Sequence, residues 1–307
     1  MNMILKLLDS ETKEHFEFMD PFEKMDMLAL PGSFGLGVFA EEEKEDVPAG
    51  HIICSEEDDR LYIDWLYVRP EYRGPGIASE LLYLSFEEGD ARGSADVAAR
   101  ISDEFEEVFP EWDTWGFFEN DVFSDVEDDE SVLRLGYADL SKLLVKEESL
   151  NAKAAGNKGI SILSDVSDKE KGKAVKDLKA RFGKRVLVPI EQAFAMADAD
   201  MSFLLKSGDE YTGAFFMRKT GRTWYPYLLE AAGIDEMELL ARAALYNSED
   251  CCTAKDKIEI RIQRPVVREL IDKLQIPGEE YRITNLVADM NAFIKQKRHA
   301  ENTEKEN

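Results

Sequence analysis

Cysteine and histidine are scarce in this sequence of 307 residues, which has three of each. The cysteines are Cys54 and the adjacent pair Cys251 and Cys252, and their spacing forms neither a CxxC motif nor a disulfide framework. With so few of these residues, we expect no structural disulfide, no metal site and no Ser-His-Asp triad. Any catalytic or binding site is therefore expected to use residue types other than Cys and His.

Long apolar segments are also lacking. No run approaches the roughly 20 apolar residues that span a bilayer, and the start MNMILKLLDSETKEHFEF turns polar too early for a signal peptide. We therefore expect no membrane partner and a cytoplasmic location. The length of 307 residues favours two domains, since a single domain usually has roughly 100 to 150 residues.

Positive charge is in the minority, because 38 Lys and Arg residues face 64 Asp and Glu residues for a formal net charge of -26. Such a field repels nucleic acid, whose binding depends on neutralisation of its phosphates. It favours a cationic amine as substrate, whereas an anionic cofactor needs a local pocket of basic groups or backbone amides. We therefore expect no nucleic-acid partner, and the sequence leaves the oligomeric state open.

The first half of the chain has the pattern of an alternating strand and helix domain. The expected elements are strands at Ser33–Ala40, His51–Cys54, Leu61–Val68, Ala95–Ile101 and Val132–Tyr137, and helices at Ile77–Glu88 and from about Asp103. The second half repeats this order, with strands at Ile160–Leu163, Met201–Lys206, Tyr211–Arg218, Trp224–Leu229 and Lys257–Gln263, and helices at Lys169–Phe182, Glu236–Tyr246 and Pro265–Leu274. The repetition predicts a tandem duplication, and two unrelated α/β domains are the alternative.

A polar segment rich in Gly and Ala, KEESLNAKAAGNKG, separates the two halves and has the composition of a linker. The sequence therefore predicts a first domain at 1–148, a linker at 149–158, a second domain at 159–295 and a charged tail at 296–307.

The most informative segment is LYIDWLYVRPEYRGPGIASELL, Leu61–Leu82. A predicted strand ends at Val68, a loop of Pro and Gly follows, and an amphipathic helix begins at Ile77. Glycines allow the backbone to approach a ligand closely, and the N–H groups at a helix start form a site for phosphate. Since Arg73 adds positive charge, the segment is the local pocket that an anionic cofactor needs.

The pattern Arg-x-x-Gly-x-Ala at 73–78, preceded by Val-Arg-Pro-Glu-Tyr at 68–72, resembles the Q/R-x-x-G-x-G/A motif of the GNAT superfamily of N-acetyltransferases. The resemblance extends over about residues 33 to 140. It implies an α/β (α+β) fold with a mixed central sheet flanked by helices, here as two tandem GNAT-like domains. It also implies acetyl-CoA as co-substrate and no metal. The pyrophosphate of acetyl-CoA would bind at Arg73, Gly74, Pro75, Gly76, Ile77 and Ala78.

In that family the strand before the loop separates from its neighbour, so that its backbone amides bind the pantetheine arm and polarise the thioester. The corresponding residues are Leu66, Tyr67 and Val68. Family members often carry an acidic general base on the same strand, where Tyr62 and Asp64 share one face. Asp64 is the candidate base, and the alternative is an exposed acid or the partner of an arginine.

The family's general acid is a tyrosine in a segment that corresponds here to FFENDVF, residues 117–123, where Phe118 takes its place. Tyr83 or Tyr137 could substitute, and we name Tyr137 as the candidate acid; the alternative for both is an ordinary core or surface tyrosine. A tyrosine in this role would protonate the departing CoA thiolate.

The second half has Glu230 and a single glycine, Gly233, where the first has its phosphate loop. A leading carboxylate is a poor phosphate ligand, so we expect a degenerate second copy without cofactor. The resemblance therefore implies an N-acyltransferase that moves an acetyl group from CoA to an amine of a small molecule or protein. The alternative is a catalytically inactive acyl-CoA-binding interaction module.

Overall fold

The computed structural model describes residues 3–9, 11–42, 46–57, 59–74, 76–108, 117, 118, 123, 125–146, 148–186, 188–290 and 294. The chain divides into two compact units. The first unit comprises Met1–Asp129 together with Arg282–Asn307, and the second comprises Glu130–Tyr281. This division differs from the predicted one, because the C-terminal segment belongs to the first unit and residues 130–148 belong to the second.

Twelve strands lie in the described part of the chain. They are β1 Met3–Leu7, β2 Phe34–Glu41, β3 Asp46–Glu57, β4 Arg60–Val68, β5 Asp96–Ser102, β6 Asp125–Gly136, β7 Ile160–Ile162, β8 Phe203–Ser207, β9 Glu210–Thr220, β10 Thr223–Glu230, β11 Lys257–Arg261 and β12 Glu279–Ala288. The sequence predicted all of them except β1 and β12.

Eight α-helices accompany them in the described residues: α1 Ile77–Arg92, α2 Glu104–Val108, α3 Tyr137–Lys146, α4 Glu148–Ala155, α5 Asp168–Phe182, α6 Ile190–Met196, α7 Ile234–Cys251 and α8 Pro265–Leu274. None of these helices is both long enough and apolar enough to cross a membrane. Short 3-10 turns lie at Lys13–His15, Glu17–Met19, Lys24–Ala29, Pro70–Tyr72 and Leu163–Asp165.

Helix α4 occupies most of the segment that was predicted to be a linker. Its Asn151 and Ala154 are buried, and the helix packs on α7. Alanine is the best helix former, so a segment rich in Ala and Lys can form a helix as readily as a linker. The burial of one face by α7 decides the outcome here.

The first unit is built on a sheet of strand order β1-β2-β3-β4-β5-β12. Neighbours from β1 to β4 are antiparallel, β4 and β5 are parallel, and β12 is antiparallel to β5. Helix α1 covers one face, where Leu81, Leu82 and Phe86 are fully buried. On the other face, Trp65 packs with Phe16 of the N-terminal segment.

The second unit contains a sheet of strand order β7-β8-β9-β10-β11-β6. Its first four strands are antiparallel neighbours, β10 and β11 are parallel, and β6 is antiparallel to β11. The two units therefore share strand order and direction, as a tandem duplication predicts. In each sheet the sixth strand comes from the other half of the sequence, since β12 completes the first and β6 completes the second.

Candidate functional site

Strand β4 is paired unequally with its two neighbours. Its antiparallel pairing with β3 extends from Arg60 to Val68. Its parallel pairing with β5 covers only Arg60–Ile63 against Asp96–Ala99. Beyond Ile63 the described residues of β4 and β5 form no further ladder pair, so the two strands separate toward the end of β4. This is the strand separation that the family resemblance implies.

A β-bulge lies where this separation begins. The register of β4 on β3 skips Asp64, which is therefore the extra residue of the bulge. Leu61 and Ile63, before the bulge, pack in the same core as Leu66 and Val68 after it. The bulge thus shifts the alternation of side chains by one residue, so that both halves of β4 keep apolar side chains on the α1 side of the sheet.

The loop between β4 and α1 depends on two glycines in left-handed conformations. Gly74 has φ 98° and Gly76 has φ 84°, a region that other residues enter only at an energetic cost. A Cβ at either position would meet no described atom within 4 Å. The backbone here is therefore open to a ligand. Pro75, the remaining predicted residue of the loop, lies outside the described residues.

Helix α1 begins directly after Gly76, which is its N-cap. Its first helical hydrogen bond runs from the Glu80 N–H to the Gly76 carbonyl at 2.9 Å. The N–H groups of Ile77 and Ala78 precede that bond and point out of the helix start, where the helix dipole is positive. Together with the glycine loop, this arrangement can hold an anionic group such as a pyrophosphate.

Arg73 ties the loop to the end of β4. Its Nε donates to the Val68 carbonyl at 2.9 Å, and its guanidinium lies 5.7 Å from the centroid of the Tyr67 ring. The predicted thioester strand and the predicted phosphate loop are therefore brought into contact within the first unit. Leu66 and Val68 bury their side chains in the core, so only their backbone is available for a ligand.

Asp64 lies in a buried polar network. Its Oδ1 accepts a hydrogen bond from Arg100 Nη1 at 2.8 Å, and its Oδ2 accepts one from the Ser55 hydroxyl. Only 4% of Asp64 is exposed. Arg100 also donates to Glu57 at 2.7 Å and lies 3.7 Å from the centroid of the Tyr62 ring. Asp64 and Tyr62 thus share a face of β4, and Asp64 is the partner of an arginine, which was the alternative to its role as a base.

The charge state of this network is governed by opposing effects on Arg100. Burial lowers the pKa of its guanidinium, but the negative charges of Asp64 and Glu57 raise the pKa above its ordinary value, and the net direction is upward. Arg100 is therefore a fixed positive charge beside Asp64. Whether Asp64 also accepts a proton during a reaction stays a prediction.

Arg100 was not among the residues predicted from the sequence. It stands between Ala99 and Ile101 in an apolar strand, and both of these neighbours pack in the core on the α1 side. Buried charged residues are almost always paired. A single arginine inside a run such as VAARIS is therefore a signal that a buried acidic partner exists elsewhere in the chain.

The residues predicted or considered as general acids lie in different surroundings. Phe118 is buried in the core of the first unit, with its ring centroid 5.2 Å from that of Phe123. Residues 119–122 of the same segment lie outside the described residues. Tyr83 donates its hydroxyl hydrogen bond to Glu87 at 2.7 Å.

Tyr137 belongs to the second unit, where it begins α3. Its N–H donates to the Asp256 carbonyl at 3.0 Å. Burial raises the pKa of its phenol, and neighbouring Cys252 and Glu249 raise it further. A raised pKa makes the phenol a weaker acid. The role of Tyr137 in catalysis stays a prediction.

The second unit has the same strand geometry with a different loop. Its β10 and β11 pair only over Thr223–Trp224, and β10 has a register irregularity between Pro226 and Leu228. At the strand end, Glu230 forms an ion pair with Arg264. No left-handed glycine occurs among residues 231–233, all of which are described.

No group of three or more His, Cys, Asp or Glu side chains in the described residues is arranged to hold a metal ion.

Two features define the class of this protein: a mixed sheet whose parallel strands separate, and a glycine loop that leads from the separated strand into a helix. Residues 1–131 match the model of the Acetyltransferase (GNAT) family. Residues 1–131 therefore belong to the GNAT family of acetyltransferases, as the sequence resemblance predicted. A comparison with curated proteins gave no match.

Solved structures with the GNAT fold cover nearly the whole chain. A tandem GNAT protein from the clavulanic acid biosynthesis pathway is 13% identical with a TM-score of 0.60, and the match covers 94% of this chain and 99% of that one. A GCN5-related N-acetyltransferase from Sphaerobacter thermophilus is 12% identical with a TM-score of 0.61, covering 94% and 96%.

A third structure is the GCN5-related glucosamine N-acetyltransferase region of a fungal multi-domain GH3 β-N-acetylglucosaminidase. It is 10% identical with a TM-score of 0.61, and the match covers 93% of this chain and 38% of that one. At these identities the similarities show the fold alone. They confirm the predicted fold class of a mixed α/β protein with GNAT architecture.

Proposed function

We propose that this protein is an acetyl-CoA-dependent N-acyltransferase that moves an acetyl group from CoA to an amine of a small molecule or a protein. The observation that carries the proposal is the end of β4, where separation from β5 begins beside the left-handed glycines Gly74 and Gly76. The opened strand offers backbone groups for the thioester of acetyl-CoA, and the amide-lined loop offers N–H groups for its pyrophosphate.

The pyrophosphate of acetyl-CoA fits the loop from Arg73 to Ala78. The space at Gly74 and Gly76 admits a ligand against the backbone, and the start of α1 supplies N–H groups and a positive dipole. The local field thereby offsets the repulsion of an anion by a chain with a net charge of -26. A side chain at Gly76 would fill the same space.

The thioester is assigned to the backbone of Leu66, Tyr67 and Val68. In the reaction the amine nitrogen attacks the thioester carbonyl, an N–C bond forms, the C–S bond breaks, and CoA leaves as a thiolate. Backbone N–H groups directed at the carbonyl oxygen stabilise the tetrahedral intermediate. A thiol has a reference pKa of about 8.5, so the thiolate can leave with little help from a general acid.

The amine loses one proton in this reaction, because a free alkylamine has a reference pKa of about 10.4 and is mostly protonated near neutral pH. The sequence predicts Asp64 as the proton acceptor and Tyr137 as the general acid. For Asp64 the alternative is a role as the buried partner of Arg100, in which case another group or water accepts the proton. The acidic surface favours a cationic acceptor. The three cysteines are free, which agrees with the proposed cytoplasmic location.

The second unit is proposed to be a GNAT-like copy without cofactor. Its strand end carries the Glu230–Arg264 ion pair instead of a glycine loop, and a carboxylate there repels phosphate. Its proposed role is to wall the substrate cleft or to supply an interface.

The proposal is tested by measuring the release of free CoA thiol from acetyl-CoA with a panel of primary amines, including a polyamine, an amino sugar and a lysine-containing peptide. The expected result is CoA release that depends on one class of amine and yields the acetylated amine by mass spectrometry. Binding of acetyl-CoA without release for any amine would instead indicate an acyl-CoA-binding module. A chain that does not bind acetyl-CoA would contradict both assignments.

A further inference from the structure

The last ladder pair between β4 and β5 joins Ile63 to Ala99. The next residue on each strand is Asp64 and Arg100, respectively. These two are joined by their side chains, with Arg100 Nη1 at 2.8 Å from Asp64 Oδ1. The ion pair therefore stands at the point where backbone pairing between the two strands ends.

One guanidinium links three neighbouring strands at this level. Arg100 of β5 contacts Asp64 of β4 and, at 2.7 Å, Glu57 of β3. The Ser55 hydroxyl of β3 donates to the other oxygen of Asp64, and the Tyr62 ring lies against the guanidinium. Asp64, the bulge residue, is thus bound through both of its carboxylate oxygens.

The burial of this pair indicates that it does more than stabilise the fold. The side chains of Asp64 and Arg100 are only 4% and 7% exposed, and a buried ion pair often stabilises no more than apolar residues of the same volume would. The hydrogen bonds of a fully partnered buried pair also favour one arrangement of the strands that carry it.

We propose that Arg100 is a positioning residue for acyl transfer: its ion pair with Asp64 fixes the separation of β4 from β5 and orients the backbone of Leu66–Val68. This inference rests on the proposed function. The bulge at Asp64 sets the direction of the following peptide groups, and a displacement of about 1 Å at a reacting group can lower a rate by about 10²-fold. The glycine loop is not part of the network, so the contacts to the pyrophosphate are kept and the main effect of Arg100 is on the position of the thioester carbonyl.

The first test replaces Arg100 by Gln. We expect kcat for CoA release to fall by about 10-fold to 100-fold, while the Kd for acetyl-CoA changes by less than about threefold. Arg100→Lys keeps the charge but cannot reach Asp64 and Glu57 together, so it should restore kcat only in part. The matched control is Arg60→Gln, because Arg60 also bridges β4 and β5, by its contact to Asp96, but at the paired end. Its kcat should be unchanged.

Arg100→Gln leaves Asp64 as a buried charge without its partner and could fail to fold. The double variant Asp64→Asn/Arg100→Gln removes both charges and should recover the melting temperature. If kcat stays low in this folded variant while its kcat/KM pH profile keeps the shape of the parent's, the pair positions β4. If kcat recovers with the fold, Arg100 is only structural and the inference is overturned.

A second readout separates this inference from the predicted base. As a base, Asp64 would set the acidic limb of the kcat/KM pH profile, and Asp64→Asn alone would remove that limb. As half of a positioning pair, Asp64→Asn and Arg100→Gln should lower kcat alike and leave the shape of the profile unchanged. Loss of the limb in Asp64→Asn only would overturn the inference.

Hydrogen exchange distinguishes failure of the inference from failure of the proposed function. In the folded double variant, the amides of Leu66–Val68 should exchange faster than in the parent, and those of Arg60–Ile63 should not. A parent that releases no CoA refutes the proposed function, and the exchange of Leu66–Val68 then decides whether the pair orders β4. Unchanged exchange there would overturn the inference.

Discussion

Glu230 and Arg264 form an ion pair in the second unit at the place where the first unit has its glycine loop. Glu230 ends β10 and is 4% exposed, while Arg264 precedes α8 and also donates to the Leu229 carbonyl at 3.0 Å. A carboxylate at this strand end repels a phosphate, and Arg264 is engaged in the ion pair with it. The two units therefore share the strand geometry but differ in the loop that follows the strand.

This pair leads to a prediction about stoichiometry. Each chain should bind a single acetyl-CoA, because the loop before α1 has two left-handed glycines and an open helix start, whereas residues 231–233 before α7 include no left-handed glycine. Calorimetric titration with acetyl-CoA should give one site per chain. The variant Glu230→Gln should not create a second site, since it removes the charge but leaves the loop without a left-handed glycine. Two sites in the parent would contradict the assignment of the second unit.

His51 is the basis of a prediction about acid stability. Its side chain is fully buried, its ring nitrogens have no hydrogen-bond partner among the described residues, and the Phe16 ring centroid is 5.5 Å away. Burial lowers the pKa of His51 to about 3. The imidazole therefore stays neutral in the folded protein, whereas it gains a proton in the unfolded chain below about pH 6.5.

Folding stability should consequently fall as pH drops below about 6.5, because the unfolded state binds one proton more. Between pH 7 and pH 5, this single group lowers the free energy of unfolding by about 2 kcal/mol. His51→Leu should remove that part of the pH dependence in urea unfolding at the two pH values. His15→Leu, at an exposed histidine, is the control and should retain it. Equal pH dependence in His51→Leu and the parent would refute the prediction.

The predicted acid role of Tyr137 can be tested by Tyr137→Phe. If the phenol protonates the departing thiolate, kcat should fall with little change in KM, by less than about 10² because the thiolate is itself a good leaving group. The matched variant Tyr83→Phe removes a hydroxyl that donates to Glu87 and should leave kcat within about twofold. An unchanged kcat in Tyr137→Phe would remove Tyr137 from the mechanism.

The first sheet is completed by β12, which comes from the C-terminal part of the sequence. We therefore predict that the N-terminal part of the chain cannot fold alone. In the first unit β12 pairs with β5, and Leu286, Met290 and Ile294 enter its core. Each large apolar side chain contributes about 1.5–3 kcal/mol when buried. A fragment of residues 1–148 should therefore show no cooperative thermal transition by circular dichroism. A cooperative transition close to that of the full chain would contradict this role of β12.

The strand and helix around the glycine loop could be predicted from the sequence. A mostly apolar run from Leu61 to Val68 identifies β4. The Pro and Gly residues that follow end the strand, and the helical pattern of α1 begins directly after Gly76. These signals are local, so a single chain segment contains all of the information. The need for glycine at Gly74 and Gly76 follows in the same way, since their backbone conformation is unfavourable for other residues.

The contacts across the sheet could not be predicted from the sequence. Asp64 and Arg100 are distant in the chain, and their meeting depends on the parallel pairing of β4 with β5 and on the bulge. The place of β12 beside β5 is likewise set by the whole fold, because an edge strand accepts many apolar segments. The helix at Glu148–Ala155 was missed since its composition fits a linker equally well.

We expect the glycine loop of the first unit to bind acetyl-CoA, and calorimetry of two matched variants tests this claim. Gly76 and Gly93 flank α1 at opposite ends, both have positive φ, and a Cβ added to either would meet no described atom within 4 Å. Gly76→Glu and Gly93→Glu therefore introduce a similar backbone strain and the same charge. We predict that the parent and Gly93→Glu bind acetyl-CoA and that Gly76→Glu does not; equal binding by both variants, or none by the parent, would contradict the claim.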